Sequence, residues 1–207
     1  MTRRRDPFTT ALESLRSRAE QGVYVPGTQV TILDEARRLN LSTTPVREAL
    51  VWLCGYGLIE RSPMGGFLAP RLDPAIVRDR FIFRLQCVVG SLTSTGQSQA
   101  RDQGLIGVDQ TPRGLDAAML RAVRGNGNAA LIDAYVRVCR QLIQLGPAEV
   151  RLFPDLLEEE AALVRLFDSA HDDLADALEQ YHRRRIEAAP LLVLEAEAAR
   201  SAIDEPG

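Results

Sequence analysis

The chain has 207 residues, of which 45% are hydrophobic and 26% charged, and its formal net charge is −3. That length allows one or two domains, and the composition is that of an ordinary folded protein, not a disordered or fibrous one. No apolar run approaches the roughly 18–20 residues needed to cross a bilayer. The start, MTRRRDPF, has no apolar stretch behind its charges, and Cys54, Cys87 and Cys139 form no Cys-x-x-Cys pair. These features point to a cytoplasmic chain with unpaired thiols and no membrane partner.

All 25 basic residues are Arg. Residues 1–72 carry 10 Arg against 7 acids, and residues 73–207 carry 15 against 21, giving +3 and −6. A mildly acidic protein can still present a basic face to a polyanion from its first part alone.

Arg3, Arg4 and Arg5 suit either a flexible arm laid along phosphates or a solvated tail. From Asp6 to Gln21 the spacing of Phe8, Leu12 and Leu15 predicts a helix with Arg16 and Arg18 outside, stopped at Gly22. A loop follows to Gly27. Ile32, Ala36 and Leu39 then repeat at helical intervals, as do Val46, Leu50 and Leu53. Asn40 suits the left-handed residue between two helices, Ser42 can cap the second, and Pro45 fits its first turn. The short runs Leu58–Arg61 and Gly66–Ala69 flank Ser62-Pro63-Met64-Gly65, which predicts a hairpin. Two helices joined by a tight turn and followed by a hairpin make a winged helix-turn-helix.

At the leading end of the second motif helix, Ser42, Thr43 and Thr44 are small and polar, so backbone N–H groups and hydroxyls can approach phosphates or base edges. Arg47, one turn on, can reach guanine or a phosphate with its planar fork. It could instead pair with Glu48 or Glu60. Arg61, Gly65 and Gly66 in the hairpin suit a minor-groove or backbone approach. Trp52, Cys54 and Tyr56 are expected to pack the wing or the domain junction.

These residues resemble the GntR family of bacterial transcription regulators. The resemblance runs through Pro26-Gly27, Val30, Ala36, Leu39, Ser42-Thr43-Thr44-Pro45-Val46-Arg47-Glu48-Ala49-Leu50, Leu53, Gly57-Leu58-Ile59 and Gly66-Phe67-Leu68. It implies a DNA-binding domain over residues 1–72. Thr43 stands where the family usually has Arg, and Leu33 where it often has a second basic residue, which thins the base-reading set to Arg47 and hydroxyls.

From Asp73-Pro74 the text changes. Helical spacing continues to about Thr93, residues Ser94–Pro112 give only a weak helix signal, and further helices are predicted over 113–124, 128–145, 147–168 with an interruption at Pro154, and 169–201 with a bend at Pro190. His171 is expected to start that last helix. The fold class expected is mainly α, a winged helix-turn-helix followed by an all-α helical bundle over residues 73–207. In Arg183-Arg184-Arg185 at most one or two side chains can point inward at 100° spacing, which leaves mostly a solvated face.

The helical part resembles the FCD subgroup of the GntR family, whose helical domain binds a small effector, commonly an organic acid, and often a divalent metal such as Zn or Ni held by one Asp and three His. Laid residue by residue on this chain, Asp116 matches the Asp, Leu120 and Glu160 stand at the first and second His positions, and His182 matches the third, with Asp172 between. The resemblance therefore implies an effector pocket at Asp116, Glu160 and His182. Those same three residues form a reduced metal set, because Leu cannot ligate. Against the metal, Asp116 could be a helix cap and His182 a surface or pocket histidine.

The function expected is that of an operator-binding regulator, acting as a repressor in the commoner mode of the family. A homodimer is expected, since a two-fold pair reads two half-sites of double-stranded DNA. The alternative is a winged helix used for protein contacts without an operator. No nucleophile–base arrangement or phosphate loop supports an enzyme.

Overall fold

The computed structural model describes residues 6–93 and 114–201, so the Arg3–Arg5 segment and the weak helix signal of 94–112 lie outside the described residues. The chain divides into two compact units, of which the described residues 6–72 and 198–201 belong to the first and those from Asp73 to Glu197 to the second. Among the described residues the architecture is mainly helical with one small sheet, as the hydrophobic spacing predicts.

In the first unit, α1 (Pro7–Glu20) opens on Asp6, whose carboxylate accepts the Thr9 N–H at 3.1 Å. Helix α2 (Ile32–Leu39) ends on Asn40 in the left-handed conformation, φ 53°, as expected of that residue. Helix α3 spans Thr43–Gly55. Leu12 and Leu15 of α1, Ala36 of α2, Val46, Leu50 and Leu53 of α3 and Ile59 and Phe67 of the wing form one core. Leu15, Leu50 and Leu53 are fully buried, and each stabilises the fold by roughly 1.5–3 kcal/mol. Trp52, Cys54 and Tyr56 pack against this core, with the Trp52 and Tyr56 rings stacked at 4.0 Å one helical turn apart.

Arg16 and Arg18 are not on the outer side. Arg16 is buried and sits 3.9 Å from Glu20, while the Arg18 Nε lies 3.4 Å from the buried Glu35 and its guanidinium covers the Tyr24 ring. Glu35 also accepts from Arg38 Nε at 2.7 Å, and Arg38 Nη2 donates to Ser14. Arginine stems lie along apolar surface while the heads find partners, so periodicity alone misplaced these two.

The wing is β1 (Glu60–Arg61) paired antiparallel with β2 (Phe67–Leu68). Gly27, at the end of the expected loop, and the residues between it and α2 join it. Val30 N–H donates to Phe67 O at 2.8 Å, Ala69 N–H to Thr28 O at 3.0 Å and Gly27 N–H to Ala69 O at 2.8 Å. Gly27 takes φ +78°, and a Cβ there would stand 2.7 Å from Arg71 Nε.

The second unit holds α4 (Pro74–Thr93), α5 (Gly114–Gly125), α6 (Ala129–Ile143), α7 (Gly146–Leu152), α8 (Leu156–Ser169), α9 (Leu174–Glu187) and, as far as Glu197, α10 (Ala189–Ser201). Its core gathers Val88, Met119, Val123, Tyr135, Leu163 and Leu178, among others. The single helix expected over 169–201 is two, because Ala170 ends α8 at φ 47° and Ala188 separates α9 from α10, in which Pro190 sits in the first turn. His171 lies ahead of α9, its Nδ1 accepting the Asp173 N–H at 3.2 Å. No helix among the described residues is long and apolar enough to cross a membrane.

Replacing Gly27 by Ala should lower the unfolding free energy by about 1–2 kcal/mol, the cost of a left-handed backbone for an L side chain. Adding Arg71→Ala should recover only the steric part. Denaturant melts of the single and double variants measure this, and a neutral Gly27→Ala would refute the strained turn.

Candidate nucleic-acid interface and anion site

Helix α3 buries Val46, Ala49, Leu50 and Leu53 on one side, which turns its leading end outward. Ser42, Thr43, Thr44, Arg47 and Glu48 are all exposed there. Ser42 holds the extended cap conformation, but its side chain makes no cap hydrogen bond, so its hydroxyl is free. The first turn of α3 carries no acid, and its first N–H groups have no partner within the helix. That end is favourable for an anion. Arg47 makes no ion pair with Glu48, Glu60 or any other described residue.

Arg61, exposed on β1, lies over the Phe67 ring at 5.8 Å. Gly65 and Gly66 are exposed at φ +93° and +84°, and a Cβ on Gly66 would meet Gln29 Nε2 at 3.0 Å. Met64 at the tip is 95% exposed, and Leu33 on α2 is 55% exposed. All seven residues expected to approach DNA are thus solvent-facing within one unit.

In the helical unit the sequence-predicted residues surround an arginine that the sequence reading overlooked. Arg84 of α4 is buried at 6% exposure, and its Nε donates to His182 Nε2 at 3.1 Å. His182, fully buried on α9, donates from Nδ1 to Leu178 O at 2.8 Å. These two bonds define the neutral Nδ1–H tautomer. Burial, the Arg84 charge and then that of Arg185 hold the imidazole down to about 2, against some opposition from the Leu178 bond. Asp116 of α5 lies 3.9 Å from Arg84 Nη1 with its side chain 63% exposed. Glu160 of α8 is half-buried, and burial, followed by the charge of Asp116, raises its carboxyl.

The donors do not fit the metal that the FCD resemblance implies. Leu120 is packed in the hydrophobic core, and both ring nitrogens of His182 are engaged, one of them by a cation. Among the described residues no group of three or more His, Cys, Asp and Glu side chains is placed to hold a metal ion. The metal set Asp116, Glu160 and His182 is corrected on that ground: a guanidinium stands against the nitrogen a metal would need.

The three consecutive arginines separate as helical geometry requires. Arg183 is exposed, Arg184 half-buried and Arg185 fully buried. Arg184 binds Asp155 through both Nη atoms at 2.8 and 2.6 Å. Arg185 satisfies every nitrogen, donating to Glu149 at 2.9 Å, to Tyr181 O at 2.9 Å and to Glu159 at 3.0 Å, and its guanidinium lies 3.3 Å from the centre of the Tyr181 ring. The run is therefore not mostly solvated, and its inward members serve internal carboxylates. Burial raises the thiols of Cys54, Cys87 and Cys139, which keeps them protonated and unreactive.

A signal for Arg84 and Arg185 existed in the sequence. Arg84 follows Val77 and Phe81 on the buried stripe of α4, and Arg185 follows Leu178 and Tyr181 on that of α9. A charge on an apolar stripe marks a buried ion.

No protein-family model matches the chain. Over 101 residues, 49% of this chain and 36% of the relative, it is 32% identical to an HTH-type transcriptional regulator in an unstable DNA locus of Streptomyces ambofaciens. Over 71 residues, 34% of this chain and 42% of the relative, it is 32% identical to an HTH-type transcriptional regulator in the TAR-I ttuE-ttuC′ intergenic region of Agrobacterium vitis. The matches thus span less than half of either curated relative. Among solved structures, E. coli McbR/YncC shares the fold over 90% of this chain and 98% of its own, with a TM-score of 0.61 at 16% identity. A GntR family member from Pseudomonas syringae pv. tomato is also among the structural neighbours, at a TM-score of 0.40 and 17% identity, too remote to argue from. The likeness in sequence is to transcription regulators, and the architecture, a winged helix-turn-helix and a helical unit, shares its fold with McbR/YncC.

Arg185→Met should destabilise the helical unit by about 3–5 kcal/mol, because it strands Glu149 in a largely dry setting and leaves Glu159 only its pair with Arg184 at 3.5 Å. Arg183→Ala, by contrast, should stay within about 0.5 kcal/mol. Chemical denaturation distinguishes the two, and equal effects would contradict the inward assignment.

Proposed function

We propose that this chain is a GntR-type transcription regulator, binding a double-stranded DNA operator as a homodimer through its winged unit and taking a small organic acid in its helical unit. The observation that carries the reading is the exposed leading end of α3, with Arg47 unpaired, three free hydroxyl residues beside it and the glycine-tipped wing in the same unit. A guanidinium left without a protein acid is ready for phosphate or for guanine O6 and N7. The net +3 of residues 1–72 has the sign that a polyanion partner requires.

A homodimer follows from the small size of one winged unit, since two half-sites roughly double the binding free energy. Ligand control then amounts to a coupling of typically ~1–3 kcal/mol between the two sites. Leu33, exposed where relatives carry a basic residue, favours the second reading, a winged helix for protein contacts.

Fluorescence anisotropy with the DNA upstream of its own gene separates the readings. Operator binding should weaken steeply with salt, with a log–log slope of about −0.9 per phosphate contacted. Arg47→Ala should cost about 1–3 kcal/mol and relax the sequence preference, with the fold unchanged by circular dichroism. Binding insensitive to both salt and Arg47 would sink the operator reading.

A further inference from the structure

Helix α3 keeps Val46, Ala49, Leu50 and Leu53 against the core of the winged unit. At about 100° per residue, the line on the opposite side runs through Thr44, Glu48, Val51 and Gly55, all of them exposed, and Arg47 stands to one side of it. The two middle residues of that line are an acid and an aliphatic. The Glu48 carboxylate enters no ion pair or hydrogen bond among the described residues, and Val51 is 41% exposed although the core lies behind it. A carboxylate on the face offered to a polyanion repels every phosphate it nears, so it weakens indiscriminate binding. That repulsion is offset where the carboxylate accepts an N–H from a base edge. In the major groove cytosine offers its N4 amino group with no acceptor beside it on the same base, whereas adenine sets N7 next to N6. For a short aliphatic side chain the matching group in that groove is the C5-methyl of thymine.

We propose that Glu48 and Val51 are specificity-determining residues for DNA, the Glu48 carboxylate accepting from a cytosine N4 amino group and the Val51 methyls packing on the C5-methyl of a neighbouring thymine. Three residues along a helix rise by about 4.5 Å, close to the ~3.4 Å between stacked bases, so the two side chains of a helix lying along the groove meet adjacent pairs. Glu48 acts chiefly by exclusion. A guanine or thymine edge would set its acceptors against the carboxylate and leave a charge unpaired and out of water. The assignment rests on the operator reading above and adds the base content of a half-site, a C·G pair beside a T·A pair.

The full-length chain is first used to enrich bound sequences from a pool of random duplexes, and the selected duplex then serves for anisotropy titrations. On the wild type, changing the C·G pair to G·C should weaken binding at least about tenfold. Replacing the neighbouring thymine by uracil, which removes the methyl alone, should weaken it about three- to fivefold. Val51→Ala should lose the difference between thymine and uracil. Glu48→Gln should move the preference at its position from cytosine to adenine, which an amide meets at both N6 and N7. Both substitutions lie at exposed positions and should leave the melting temperature unchanged. The proposal is overturned if Glu48→Gln tightens every duplex alike, the mark of a carboxylate that only repels phosphates, or if uracil costs the wild type and Val51→Ala the same. It is overturned equally if neither DNA change affects the wild type, a comparison that needs no variant to fold. Enrichment of sites with neither a C·G nor a T·A preference would refute it while leaving operator binding intact. A wild-type chain that enriches no sequence at all would remove the operator reading, and this assignment with it.

Discussion

A guanidinium taken out of water must find acceptors, and in the helical unit this requirement orders the residues around it. Helix α9 carries two of the constraints within one turn, His182 and Arg185, each binding a different neighbour. Arg185 draws Glu149 of α7 and Glu159 of α8 onto α9, and His182 draws Arg84 of α4 onto the same helix. Four helices are thereby held in register by directional bonds that the surrounding Leu and Val contacts could not specify alone. Deep burial makes each bond strong, and it makes each unmatched atom expensive.

The same requirement explains why Asp116, Glu160 and His182, which the family resemblance marks as metal ligands, are not gathered as a metal set here. An imidazole that accepts from a guanidinium has no lone pair left for a metal, and a leucine at the first ligand position belongs to the core.

In the winged unit the logic is reversed, since the proposed function depends on groups left unsatisfied at the surface. The core formed by α1, α3 and the wing fixes α3 firmly, and this firmness lets its first turn project without support. A cap bond from Ser42 or an ion pair to Arg47 would steady the isolated helix but occupy the atoms that a polyanion needs. Gly27, Gly65 and Gly66 serve the same end by permitting left-handed turns where a side chain would be strained.

Local rules were sufficient for much of this protein. Helical spacing, Asp6 and Asn40 at helix ends and the run from Ser42 to Leu50 determined a helix-turn-helix, a hairpin and a helical second part, because caps and amphipathic stripes act over a few residues. Arg16, Arg18, the strand-like pairing of residues 27–30 and the division at Ala188 escaped those rules, since each depends on partners distant in the chain. The polar cluster of the helical unit was half legible. Asp116, Glu160 and His182 were placed by the family resemblance, and Arg84 could be marked as a charge on an apolar stripe, but its bond to His182 could not, because which acceptor a buried donor finds is decided only when separate helices meet.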